Sequence, residues 1–177
     1  GGMDVPLINN FALGFYQGAR YARSDIEMVR DTVGKDHADA WNNPDRARAL
    51  AKKQYAAQVG VIFAAAGGSS VGVLEAAEET GHLAIGVDTN QNGLYPGTML
   101  TSMVKRVDKA VYETLVNSFS GRWEPGIKYL GVREGALDYS VDAYNKNMVT
   151  KEVIDKVEDA KDRIIRGLLT VDTYSPY

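Results

Sequence analysis

Cysteine is absent from all 177 residues. That excludes disulfides, thiolate metal sites and cysteine nucleophiles, and it leaves the compartment open, since exported bacterial proteins also do without cysteine. Histidine is nearly absent: His37 and His82 are the only two, and neither has a partner at metal-ligand spacing. His37 lies in a polar stretch and reads as solvated. No long apolar run exists either. The longest, Val59 to Ala66, falls far short of the roughly 20 residues of a membrane-spanning helix. No secretory leader pattern is visible in these residues. Basic excess is missing too. With 20 Lys and Arg against 23 Asp and Glu, the net charge is -3, which gives no electrostatic footprint for nucleic acid and no polybasic membrane patch.

What is present is globular: 45% hydrophobic and 24% charged residues, with no repeats and no low-complexity segment. The length suits one domain or a piece of a larger protein. Apolar residues recur at helical spacing from Pro6 to Ala22, with Pro6 suited to a first helical turn. Ile26 to Val33 alternates as a strand does. Gly34 to Asn43 reads as a polar loop carrying Trp41. Asn43-Pro44 signals a helix start, with the helix running to about Gln58. Val59 to Ala66 suits a strand buried on both faces. Gly67-Gly68-Ser69-Ser70 then opens a helix from Val71 to Thr80 that stops at Gly81. Leu83 to Val87 is a second buried strand and Met99 to Val104 a third. A helix over Val107 to Ser118, a strand over Ile127 to Val132 and a helix from Lys151 to Leu168, capped by Thr150, complete the chain. Alternation with short connections predicts an α/β, Rossmann-like lobe, a parallel sheet with helices on both faces.

Ligands of such sheets sit outside the carboxyl ends of the strands. The residues just past the predicted strands are Trp41, Gly67, Gly68, Asp88 and Lys105. An indole offers a flat surface for stacking a heterocycle. Adjacent glycines let backbone N–H groups approach a ligand. A carboxylate accepts from a vicinal diol, and an ammonium donates to a hydroxyl or a ring acceptor. Together these groups suit a nucleoside. Each also has a plainer reading: Trp41 as a loop residue folded back on the lobe, Gly67-Gly68 as a tight turn, Asp88 as a helix cap, Lys105 as a solvated lysine. No catalytic set is evident. No serine sits in a nucleophile elbow, and Gly67 to Gly72 is neither G-x-G-x-x-G nor a phosphate loop.

Four blocks carry a resemblance. Gly1-Gly2-Met3-Asp4-Val5-Pro6-Leu7-Ile8, with Phe11, Gly14, Phe15 and Gly18, resembles the segment that opens the second lobe of the basic membrane protein / purine nucleoside receptor family. Trp41-Asn42-Asn43-Pro44 resembles that family's aromatic-x-(Asp/Asn)-Pro loop. Ile62 to Gly68, with Gly72-Val73, resembles its glycine-rich turn. Ala84-Ile85-Gly86-Val87-Asp88 with Gln91, and Leu100 to Asp108, resemble its last two blocks.

The resemblance implies a type I periplasmic-binding-protein fold and a solute receptor of an ABC transporter. Such a receptor takes a purine nucleoside or related purine in a cleft between two lobes and passes it to an ABC permease. It implies stacking by Trp41 where relatives commonly have phenylalanine, backbone contact at Gly67 and Gly68, ribose hydroxyls on Asp88 and a polar contact from Lys105. It implies no cofactor, no metal and no catalysis, a periplasmic or cell-envelope location, and membrane attachment only through a lipid anchor on an N-terminal part. Residues 1–177 are then expected to be the C-terminal lobe, with the first lobe outside this sequence. About 105–177 should include hinge crossings and elements that pack on that first lobe. An effector-binding sensory domain on the same scaffold, and a receptor for another flat heterocycle, are the alternatives.

Overall fold

Alternation along the first strand divides the molecule into two apolar layers. Ile62, Ala64 and Ala66 face one cluster, while Phe63 and Ala65 face the other, as the two-residue period of a strand requires. The computed structural model describes residues 1–35 and 37–175. It contains α1 (Pro6–Ala22), α2 (Pro44–Ala56), β1 (Val61–Phe63), α3 (Ser70–Thr80), β2 (Leu83–Gly86), β3 (Met99–Lys105), α4 (Val107–Phe119), β4 (Leu137–Tyr139) and α5 (Lys151–Ile165).

The first cluster lies under α2 and α3. Ala47, Ala51 and Tyr55 of α2 meet Val73, Leu74, Ala76 and Ala77 of α3 over Ala84 and Met99. The two helices approach so closely that a Cβ on Gly72 would fall 1.9 Å from the Pro44 carbonyl oxygen. Tyr55, buried in this layer, donates its hydroxyl to Leu83 O at 2.9 Å. The second cluster joins Ile8 and Phe11 of α1 to Trp41, Phe63, Ala65, Val87 and Met103. Helices therefore cover both faces of the sheet. The caps are those the sequence predicts: Asn43 accepts from Arg46 N, and Thr150 accepts from Val153 N.

The strand order is β1-β2-β3-β4. The first three strands run parallel, with Ile62 opposite Ala84 and Gly86 opposite Ser102. β4 is antiparallel to β3, pairing Met103 with Tyr139.

Several sequence expectations need correction. Ile26 to Val33 is not a strand. Val29 is exposed, and the segment meets a neighbouring extended backbone at its end, where Asp31 O accepts from Gly1 N and Val33 N and Gly34 N donate to Gly1 O and Gly2 O. Ile127 to Val132 is not a strand either; Ile127 and Tyr129 are exposed, and β4 takes the place beside β3. Alternation alone does not make a strand, because ladder hydrogen bonds need a neighbour. The loop over Gly34 to Asn43 contains a 3₁₀ turn, Ala38–Trp41. The run Val59 to Ala66 forms a ladder strand only over Val61–Phe63.

Two peripheral features bear on later arguments. α4 has no buried residue and turns Val107, Val111, Tyr112, Leu115 and Phe119 to solvent; residues 121–130 are exposed throughout. At the other end, the segment after α5 returns to α1. Asp172 N donates to Gln17 Oε1 at 3.0 Å and Tyr174 N to Asn10 Oδ1 at 2.7 Å.

Candidate binding site

Three strand ends and one loop assemble the five residues singled out by sequence. Asp88 follows β2, Lys105 closes β3, Gly67 and Gly68 follow β1, and Trp41 ends the 3₁₀ turn that precedes α2. They fall into two pairs, with Gly67 and Gly68 counted together as one turn.

The first pair is Asp88 and Lys105. Lys105 Nζ lies 2.8 Å from Asp88 Oδ1, with the Asp88 side chain still 54% exposed. Lys105 N also donates to Asp88 O at 2.9 Å. Asp88 sits at φ 69, a left-handed conformation that aspartate tolerates better than most residues. The ammonium lies 4.8 Å from the centroid of the Phe11 ring, within cation–π range. Lys105 is thus neither a free solvated lysine nor an unpaired donor. It neutralises part of the carboxylate's charge and ties the end of β3 to α1.

The second pair is Trp41 with the glycine turn. A Cβ on Gly2 would lie 2.4 Å from Trp41 Cε3 and Cζ3, and one on Gly67 would lie 3.3 Å from Trp41 O. Gly67 has φ +58, which glycine adopts without the steric cost of a side chain. Gly68 is equally close, with its added Cβ 3.2 Å from Trp41 O. The indole is therefore packed against backbone, partly buried on the second cluster. This is the folded-back loop residue of the plainer reading, placed at the ligand edge of the sheet. The pairs are linked through that cluster, which holds both Trp41 and Phe11. Phe63 bridges further, its ring centroid 6.2 Å from that of Phe11.

Two serines absent from the sequence-derived set hold this geometry. Ser69 Oγ donates to Ala40 O at 2.8 Å and accepts from Asn43 N at 2.7 Å. Ser70 Oγ donates to Ala64 O at 2.9 Å and accepts from Ala66 N at 3.1 Å. Both are buried, so they fix the Trp41 loop to the turn and the turn to β1 without loss of hydrogen bonding. The signal available in sequence was a pair of small hydroxyl residues directly after two glycines. Phe11 was legible as one residue of an apolar helix face and of the block that carries the resemblance, with no sign that it would meet Lys105.

The match that decides the family covers residues 1–173, to a family model described as Bmp, ABC transporter substrate-binding protein PnrA-like. The chain belongs to the Bmp family. Basic membrane protein B of Borreliella afzelii strain PKo is 33% identical in a 168-residue alignment that covers 87% of this Bmp chain and 47% of that relative. The chain spans about half the length of the curated relatives it matches. Among solved structures, one described as ABC transporter system solute-binding proteins from Aeropyrum pernix K1 superposes with a TM-score of 0.81 at 25% identity, over 99% of this chain and 56% of that one. A transcriptional activator of the comK gene from Bacillus halodurans superposes with a TM-score of 0.68 at 27% identity, over 78% of this chain and 48% of that one. The Bmp chain thus has the fold of a lobe shared by transport receptors and a regulator. Among its described residues, no helix is long and apolar enough to cross a membrane.

Proposed function

We propose that this chain is one wall of an ABC-transporter solute receptor, binding a purine nucleoside or a related flat purine between two lobes and delivering it to a permease. The observation that carries this reading is the single sheet edge bearing both an indole and a half-exposed carboxylate. Trp41 beside the glycine turn supplies a surface for the base, and Asp88 supplies acceptors for the sugar diol. Lys105, paired with Asp88 and braced on Phe11, holds the carboxylate in place and offers further N–H donors. Gly67 and Gly68 present backbone at van der Waals range. None of these groups is arranged as a nucleophile with a base, so the role is binding and release rather than turnover.

The second lobe is part of the proposal. Relatives about twice as long and an uncovered apolar face on α4 running on through residues 121–130 support residues 105–177 as the region where the chain crosses to and packs against that lobe. A ligand buried between both walls would shift the balance from open to closed. The receptor would work outside the cytoplasmic membrane, in the periplasm or cell envelope, held there by a lipid anchor if by anything.

Isothermal titration of the whole protein against adenosine, guanosine, inosine and the free bases tests this reading. Tight binding of nucleosides, with weaker binding of bases, is expected. No heat with any purine would overturn the ligand assignment. A second reading, an effector-binding sensory lobe, is favoured by the likeness to the comK activator; copurification with a signalling partner rather than a permease would select it.

A further inference from the structure

Behind Asp88 lies a polar network with a buried centre. Asn92 and Ser102 are both 0% exposed, although one is a loop amide and the other a strand hydroxyl. Ser102 Oγ donates to Asn92 Oδ1 at 2.9 Å and accepts from Gln91 N at 3.0 Å. Asn92 Nδ2 donates to Asp142 Oδ2 at 3.1 Å, and Asn90 Nδ2 donates to the same oxygen at 2.8 Å. Gln91 Oε1 accepts from Val87 N at 2.9 Å. Asp142 is fixed in turn, its Oδ1 accepting from Tyr144 N at 2.8 Å and its N–H donating to Asn145 Oδ1 at 2.8 Å. Gly86 makes room: a Cβ there would lie 2.6 Å from Ser102 Oγ and 2.7 Å from Gln91 Oε1.

The loop is therefore bonded at Val87, Asn90, Gln91 and Asn92 to partners within itself, on β3 and beyond β4. Asp88 and Thr89 form the stretch between those ties. Asn92 and Ser102 are buried at the network's centre, while Asn90 meets Asp142 at the surface; such a satisfied network gives little net stability over apolar packing, but it selects one geometry. The backbone it fixes includes the left-handed Asp88. Resting on the nucleoside reading above, we propose that Asn92, Ser102 and Asp142 form a latch that sets the position of Asp88, and so make these three positioning residues for selectivity towards diol-bearing ligands.

The test uses the whole protein with Asn92→Ala, Asn92→Asp and the double variant Asn92→Asp/Asp142→Asn. Titration with inosine and adenosine is compared with titration by free adenine, and amide exchange is followed over residues 88–94. Asn92→Ala removes the bonds to Ser102 and Asp142 and should lower nucleoside affinity about tenfold or more while leaving adenine within about twofold, the scale of lost buried hydrogen bonds with their partners left unsatisfied. Asn92→Asp sets a carboxylate against Asp142 and should be worse. The double variant returns an amide–carboxylate pair with the roles exchanged but deprives Asn90 Nδ2 of its acceptor and Ser140 O of one donor, so it should recover part of the loss. Equal losses for nucleoside and base, or no recovery in the double variant, would overturn the selectivity role. Exchange over 88–94 needs no ligand. Faster exchange there in Asn92→Ala, with α3 protection unchanged, supports the latch even if the wild type binds no purine. Unchanged exchange overturns the latch whatever the protein binds.

Discussion

Asp88 and Lys105 are joined twice, once through backbone, from Lys105 N to Asp88 O, and once through side chains, from Lys105 Nζ to Asp88 Oδ1. The double tie closes the end of β3 onto the loop after β2. It also means that the candidate diol acceptor is held from two directions before any ligand arrives, which lowers the ordering cost of binding.

Substitutions at Asp88 should separate the sugar from the base. Asp88→Asn keeps a residue that tolerates the left-handed backbone and removes the charge. It should weaken nucleosides about tenfold, the order of one charge-assisted hydrogen bond, while free bases bind as before. Titration of both ligand classes decides the matter, and parallel losses would refute the ribose assignment.

At Trp41 two roles must be distinguished, since the indole packs on Gly2 and Gly67 and also faces the proposed ligand edge. Trp41→Ala should cost about 1–3 kcal/mol of ligand affinity if the base stacks there, and the melting temperature should fall too. Trp41→Phe keeps a ring and should retain most of the affinity. Affinity unchanged in Trp41→Ala would remove the stacking role and leave only packing.

Acid should loosen the latch from the Asp142 side. Hydrogen bonds from Asn90, then from the Tyr144 backbone, hold the Asp142 carboxyl below its ordinary range. For a depressed carboxylate the stabilisation is complete above the unfolded value of about 3.9 and is lost as pH falls through the lower folded value. The wild type should therefore melt above Asp142→Asn near neutral pH. The gap should narrow only in acid below the unfolded value. Thermal melts of both proteins across that range give the answer; a gap independent of pH would show that Asp142 is not bonded as an ion.

Phe119 is 90% exposed in this lobe. If a second lobe covers α4, Phe119→Ala in the whole protein should behave as a core truncation, about 3–5 kcal/mol. Denaturant midpoints measure it. A midpoint equal to wild type would mean that the α4 face stays uncovered.

Much of this was legible in sequence, for reasons that can be traced. α1 spans Pro6–Ala22 as its apolar spacing requires, and α3 stops at Gly81, which adopts φ 67. Both depend on neighbours a few residues away. The strand reading of Ile26 to Val33 went wrong because pairing depends on what lies alongside, which a local pattern does not contain. β4 escaped notice because Leu137–Tyr139 is too short to show a period. Trp41 ends a 3₁₀ turn that no strand precedes among the described residues, whereas the places of Gly67, Asp88 and Lys105 followed from strand ends. The pairing of Lys105 with Asp88 over Phe11 did not, since it joins three elements far apart in the chain. The latch was hidden best: Asn92-Gly93 reads as turn punctuation, and nothing local shows that the asparagine is buried.

The return of Asp172 and Tyr174 to Gln17 and Asn10 has a consequence for biosynthesis. α1 is made well before the partners for these side chains, which lie 155 and 164 residues further along the sequence. At about 5–20 residues per second, the polar flank of α1 waits for nearly the whole of this stretch to be translated before it is covered. Until then Asn10 and Gln17 bond to water, while the apolar face of α1 already has its partners at Trp41, Phe63, Val87 and Met103.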